Sequence, residues 1–203
     1  MRFALVAVSA MATLVTACTQ PPPKTSPPPA STAKQLQVAT FRLCETEGFL
    51  ALNAGRQYML LTKRDKAEVL SYLGRTPDPE ARQIVEKMFE GVDSGQIRHY
   101  ADYAADTLTA CTQRERLATE STREDKRLCF AQTDIAFFIM VDKSMSATEE
   151  QAVARTARKL PNEKVYPRAL IEATARRIYG PDQQTPMDTF MKKTFWGCLA
   201  SRS

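Results

Sequence analysis

The sequence predicts an all-α protein of two tandem disulfide-closed helical units, each of about four helices, after a Pro-rich linker. Residues that lose little conformational freedom in a helix dominate the chain, whereas glycine occurs 7 times in 203 residues. Apolar residues recur at three- and four-residue spacing in several segments, which is typical of one helix face. Cysteines and helix-start signals also repeat at similar spacing in two halves of the chain, which indicates an internal repeat.

The first part of the chain, residues 1–17, has the pattern of an export signal. Arg2 supplies a positive charge, and an almost unbroken apolar run extends from Phe3 to Val15. A charged start, a short apolar core and a small-residue exit are typical of a secretory signal peptide. The run is too short to span a bilayer comfortably. We therefore expect residues 1–17 to be removed.

The exit of this segment reads Val15-Thr16-Ala17-Cys18. This pattern resembles the lipobox of bacterial lipoproteins. The resemblance implies cleavage before Cys18, diacylglycerol on its thiol and a further acyl chain, such as palmitate, on the new amine. Several acyl chains anchor a protein stably, whereas one is marginal. An ordinary signal peptide followed by a chance cysteine is the alternative.

The residue after the cysteine bears on localisation. It is Thr19, whereas an Asp at this position favours retention in the inner membrane of enterobacterial lipoproteins. The resemblance therefore implies a cell outer membrane lipoprotein whose domain faces the periplasm, with exposure on the cell surface as the alternative.

A Pro-rich linker, residues 18–35, begins at the lipidated cysteine and holds six of the chain's 12 prolines. Such a segment does not build a core and prefers extended polyproline II. Fully extended, residues 19–35 would reach up to about 50 Å from the membrane. We interpret the segment as a spacer, and a Pro-rich docking motif is the alternative.

Two helical units follow, residues 36–112 and 127–203, separated by a charged connector, residues 113–126. An Arg-Leu-Cys tripeptide opens each unit and ends at Cys44 or Cys129, and a closing cysteine, Cys111 or Cys198, lies about 70 residues later. Helix-start signals punctuate both units at Thr62–Asp65, Asp78-Pro79 and Ser94, and at Ser146–Glu149, Asn162 and Thr185-Pro186. The connector is either solvated or a continuation of the neighbouring helices.

The four cysteines of the domain are an even number in an exported chain, which suggests two disulfides, with three pairings open. The repeat favours Cys44–Cys111 and Cys129–Cys198, which join the first helix of each unit to its last. The competing pattern joins Cys111 to Cys129 and Cys44 to Cys198, and it would describe one closed domain.

Charge and motifs argue against several functions. The net charge is +5, but cations alternate with acids nearly everywhere, so we expect no nucleic-acid partner. His99 is the one histidine, and no Cys-x-x-Cys pair occurs, so a zinc site of ordinary spacing is absent. No G-x-S-x-G, P-loop or dinucleotide-binding pattern occurs. We therefore expect no metal, no cofactor and no catalytic residues.

Three aromatic residues are candidates for contact with a partner. Phe137 and Phe138 lie in the most apolar run of the domain and point to different sides of a helix, and Trp196 lies off the apolar stripe of the last helix. We expect a membrane-anchored interaction or assembly (accessory) lipoprotein that binds an envelope protein and touches the membrane through its lipid. One alternative is an immunity or inhibitor protein against a periplasmic toxin or wall hydrolase, by analogy of class. Another is a cell-wall enzyme with carboxylates across a cleft.

Overall fold

In a computed structural model, residues 30–73 and 78–202 are described, and every regular element within them is helical. The all-α prediction is confirmed. The helices are α1 (Ala30–Arg56), α2 (Lys66–Tyr72), α3 (Pro79–Asp93), α4 (Tyr100–Arg114), α5 (Arg123–Ser144), α6 (Glu149–Lys159), α7 (Arg168–Tyr179) and α8 (Met187–Ala200). None of the described helices has the length and apolar character needed to cross a bilayer. The expected signal peptide, the lipid site Cys18 and linker residues 18–29 lie outside the described residues.

Helix α1 begins earlier than the linker assignment predicted, and its other end continues into a π-helical turn. It starts at Ala30, so residues 30–35, which we assigned to the linker, are helical. These residues contain no proline or glycine, and a helix forms readily once the prolines end at Pro29. At its other end α1 runs into a π-helical turn, Gln57–Leu61, where the Thr62 N–H donates to the Gln57 carbonyl over 2.9 Å.

The first expected helix start is displaced along the chain. The expected cap of α2 was Thr62, but the observed cap is Asp65, whose carboxylate accepts from the Glu68 N–H at 3.0 Å. Lys63 and Arg64 between them have φ of 50° and 69°. A left-handed pair cannot begin an α-helix, so the helix starts only after it.

Of the other predicted helix starts, one is found at the predicted residue and others lie further along the chain. Asp78 caps α3 with Pro79 in its first turn, as predicted. Helix α6 begins with a capping box built from Thr148 and Gln151, two residues after the expected Ser146, which has a φ of 62°. Two other helices begin later than the sequence predicted. Helix α4 begins after His99 rather than at Ser94, and α7 begins after Pro167 rather than at Asn162.

The two disulfides join the helix pairs that the repeat favours. Cys44 of α1 pairs with Cys111 of α4, and Cys129 of α5 pairs with Cys198 of α8, with Cα atoms 5.4 Å apart in each bridge. Helix α1 packs along α4, and α5 packs along α8. Helices α4 and α5 also pack together, so the two halves are in contact.

The apolar core is shared between the halves near the disulfides. Phe49 of α1, Phe130 of α5 and Phe195 of α8 form one aromatic cluster, with ring centroids 4.6 to 5.6 Å apart. A second apolar cluster surrounds Ile135 and lies wholly in the second half, and a third surrounds Met88 in the first half. The shared cluster means that the halves do not have fully separate cores.

Candidate interaction surfaces

The three predicted contact residues do not share one surface. Phe138 is only 1% exposed and belongs to the core, so it offers almost no surface for the expected contact. Phe137 is half-buried, and the Arg56 guanidinium lies 3.6 Å from its ring centroid. Trp196 is 40% exposed and packs against Phe41. Because Arg56 and Phe41 are about 22 Å apart along α1, Phe137 and Trp196 belong to different parts of the domain.

Trp196 lies in an apolar groove at the start of α1, which we call the anchor-side groove. Its volume is about 510 Å³, within the range of ligand-binding clefts. Its lining comes from α1, from the segment after α4 and from α8, and consists of Gln37, Val38, Phe41, Arg42, Leu117, Ala118 and Trp196.

The groove exists because α1 is longer than the helices that cover it. Helix α1 runs antiparallel to α4: a Cβ on Gly55 would collide with the Tyr100 side chain, and the disulfide joins Cys44 to Cys111. Helix α4 then ends at Arg114, whereas α1 continues for 14 residues on its side of Cys44, from residue 30 to residue 44. Among the described residues, neither α2 nor α3 contributes to the lining beside this overhang.

Trp196 forms one wall of the groove with Phe41. Their ring centroids are 5.1 Å apart, and the rings are inclined at 48°. The same two residues border a second groove of about 310 Å³, between the α4–α5 segment and the end of α8. Large aromatic residues beside concave surfaces are typical of residues that dominate binding energy at interfaces.

A buried carboxyl, Glu45, lies behind this aromatic pair and is only 6% exposed. Burial raises the pKa of Glu45, while the positive charge of Lys192, a hydrogen bond from Trp196 and the charge of Arg42 act in the opposite direction. Glu45 and Trp196 are therefore neighbours, and Trp196 is 40% exposed beside the groove that it lines.

A second exposed apolar surface lies at the other end of α1, and we call it the distal leucine surface. It consists of Leu60 and Leu61 in the π-helical turn and Leu70 in α2, which are 39%, 45% and 39% exposed. The π-helical turn and α2 are in contact, so the three leucines lie in neighbouring elements. Sequence reasoning missed these residues, although two adjacent leucines directly before a polar turn were a signal.

The most strongly perturbed ionisable groups form a buried network that joins the two halves. Arg56 of α1 is 2% exposed, and its Nε lies 2.9 Å from Oδ1 of the fully buried Asp134 of α5. The Tyr100 hydroxyl donates to the other oxygen of Asp134. Burial raises the pKa of Asp134, and the positive charge of Arg56 opposes this rise. Burial also raises the pKa of Tyr100 well above its ordinary value, and the negative charge of Asp134 adds to that effect.

No family model matches this chain, and no curated protein or solved structure matches it. Its function has to be inferred from its own residues.

His99 caps α4 and lies beside the buried network. Its Nδ1 accepts from the Ala101 N–H at 3.3 Å, and its ring centroid lies 5.3 Å from those of Tyr100 and Tyr166. Burial lowers the pKa of His99, the charge of Asp102 opposes this, and the charge of Arg127 adds to it. Within residues 30–73 and 78–202, no group of three or more His, Cys, Asp or Glu side chains is placed to hold a metal ion.

Proposed function

We propose that this chain is a membrane-anchored, non-catalytic interaction or assembly lipoprotein of the bacterial envelope, which binds an envelope protein. Under this proposal, lipid on Cys18 holds the chain in the outer membrane, and the domain faces the periplasm. The distal leucine surface is the observation that supports it most. It exposes three leucines at the end of α1 that lies about 40 Å from the tethered end. Large exposed apolar side chains far from the proposed anchor are suited to contact a protein partner.

The arrangement of the buried network agrees with a non-catalytic role. A general acid or base must reach the proton that it transfers, directly or through one water. Asp134 and Tyr100 are 0% and 3% exposed, and each has the other as a hydrogen-bond partner. Neither residue lines either of the two grooves described above. We attribute to them a role in holding α1, α4 and α5 together.

The anchor has a direct test in the cysteine that would carry the lipid. Cys18→Ser should block lipidation and leave unprocessed precursor, which immunoblotting and palmitate labelling of cells would reveal. A Cys18→Ser chain that is still cleaved and labelled would contradict the lipoprotein assignment.

The partner surface is tested by a photo-crosslinking amino acid in place of Leu61, with Arg82 of α3 as the matched control position. Both sites are exposed and lie in the first half. We expect an adduct with an envelope protein from position 61 that Leu70→Glu abolishes, and no such adduct from position 82. Equal adducts from both positions would contradict a specific partner surface.

We further propose that the two halves are tandem copies of one unit. Each half runs from a long helix with an opening cysteine to a last helix with a closing cysteine, and two shorter helices lie between. Non-reducing peptide mapping tests this, because trypsin cuts at Arg116 between α4 and α5. Links within each half are expected. A linked pair of peptides containing Cys111 and Cys129 would refute the two-unit arrangement.

A further inference from the structure

We propose that the anchor-side groove is a membrane-docking surface, which lies on an anionic bilayer, the one that holds the lipid on Cys18. The inference rests on the proposed lipid anchor and adds a second, non-covalent contact between the domain and the membrane. Three observations carry it: the charge of the tethered segment, the exposed residues of the groove and the position of the groove along α1.

The chain between the proposed lipid site and the core is cationic throughout. Residues 18–44 contain Lys24, Lys34 and Arg42 and no Asp or Glu, although the whole chain has 23 acids and 28 basic residues. The first acid is Glu45, which is only 6% exposed. Lys192 is exposed and lies four residues before Trp196 in α8, on the same face of that helix. Basic residues next to a lipid anchor are attracted to anionic headgroups.

The exposed part of the groove has side chains that suit a membrane interface. Val38 is 48% exposed and Trp196 is 40% exposed, and both line the groove beside Arg42. Surface helices that bind membranes combine apolar and aromatic side chains with Lys or Arg at their edges. Trp196 also packs against Phe41, so the two rings form one apolar wall at this exposed part of the groove.

The groove also lies within reach of the bilayer. Phe41 is 11 residues beyond Ala30, the first residue of α1, which corresponds to about 16 Å of helix. Residues 19–29 span about 34 Å when extended. The tether is therefore long enough for the overhang of α1 to lie along the membrane with its groove facing the lipid.

Charge argues against two other occupants. A second copy docked on this face would offer the same lining, in which Arg42 is the one charged residue and no acid is present to pair with it. The chain's own Pro-rich segment carries Lys24 and no acid, so it offers no complementary charge. An anionic bilayer complements the groove, and an acidic protein would be the remaining occupant.

The test uses the lipidated mature protein in vesicles, with Trp196 as the reporter because it is the only tryptophan of the chain. Vesicles of phosphatidylcholine with and without phosphatidylglycerol would carry brominated acyl chains, which quench only tryptophan in contact with the bilayer. We expect a blue shift and quenching in anionic vesicles, and loss of both at high salt, because salt screens exposed charges.

The outcomes separate docking from anchoring. Protein that floats with the vesicles but shows no quenching would overturn the docking proposal, leave the anchor intact and leave the groove to a protein occupant. Equal quenching in neutral and anionic vesicles would also overturn it, because charge is part of the argument. Protein that does not float at all would contradict the anchor, and therefore the proposed function on which docking rests.

Substitutions in a chain of residues 18–203 that carries Cys18→Ser and is expressed without residues 1–17 locate the docking surface, because partitioning of this unlipidated chain onto vesicles depends on the domain. Reversing one charge with Arg42→Glu should reduce the partition coefficient on anionic vesicles about 30-fold, since both the lost attraction and the new repulsion count. Val38→Glu should also reduce it. Leu43→Glu is the matched control, because Leu43 is 58% exposed on α1 but does not line the groove. Equal losses from Val38→Glu and Leu43→Glu, with unchanged circular dichroism, would refute docking through the groove.

Discussion

Replacing Asp134 by alanine is expected to lower the free energy of unfolding by about 3–5 kcal/mol. The change leaves the Arg56 guanidinium, which is 2% exposed, without its carboxylate, and it removes the acceptor of the Tyr100 hydroxyl. An unpaired charge in a buried site costs far more than the net value of the intact pair, because its lost hydration is no longer offset. Urea unfolding followed by circular dichroism, with both disulfides oxidised, gives the free energy.

A surface ion pair supplies the comparison. Asp106 pairs with Arg123, and the two side chains are 52% and 47% exposed, so Asp106→Ala should cost about 0–1 kcal/mol. The double variant Arg56→Met with Asp134→Leu removes both charges and should recover most of the stability lost in Asp134→Ala, as apolar replacements of buried pairs often do. Loss of less than about 1 kcal/mol in Asp134→Ala would refute the reasoning, because it would show that the site is open to water.

Two further predictions concern the packing and capping of α4. Burial lowers the pKa of His99, so the folded chain resists protonation, and stability should fall as the pH drops below the unfolded-state pKa of about 6.5. His99→Asn keeps a capping acceptor for the Ala101 N–H and should make the urea midpoint less dependent on pH in that range. An unchanged pH dependence in His99→Asn would contradict His99 as its origin. Gly55→Ala should destabilise the fold by about 1–3 kcal/mol, because the new Cβ would collide with the Tyr100 side chain. Gly197→Ala is the control: its Cβ would have no neighbour within 4 Å, and the substitution should stabilise the fold by about 0.5–1 kcal/mol. Equal thermal midpoints for the two alanine variants would contradict the close approach of α1 to α4.

The features that the sequence predicted well are those that depend on local chemistry. Helix-forming composition and the Asp78-Pro79 start need only neighbouring residues, and both are found in the structure. The start expected at Thr62 failed because the chain first makes a π-helical turn and then a left-handed pair at Lys63 and Arg64. A capping pattern does not reveal a π-helical turn or a left-handed pair, because the same capping residues occur whether or not the chain makes them.

The candidate contact residues show where local chemistry is insufficient. Trp196 lies off the apolar stripe of α8 and is exposed, as its position indicated. Phe138 is buried because α5 packs against α4, α6, α7 and α8 and has little free surface in its central part. The run around Phe138 is apolar on several sides, which is typical of a buried helix, but the number of covering helices depends on the whole fold. The Arg56–Asp134 pair was missed for the same reason, because its members are distant in the sequence.

The two restraints on α1 relate the fold to the proposed surfaces. The Cys44–Cys111 disulfide holds α1 near the anchor-side groove, and the buried pair of Arg56 with Asp134 holds it near the distal leucine surface. These points lie 12 residues apart, from residue 44 to residue 56, or about 18 Å along the helix. A helix held at two positions along its axis cannot slide or rotate against its neighbours without breaking either the disulfide or the buried ion pair. A domain lying on the bilayer through the groove would therefore present its leucines to a partner at a fixed height and orientation, and Asp134→Ala should weaken that presentation without touching either surface.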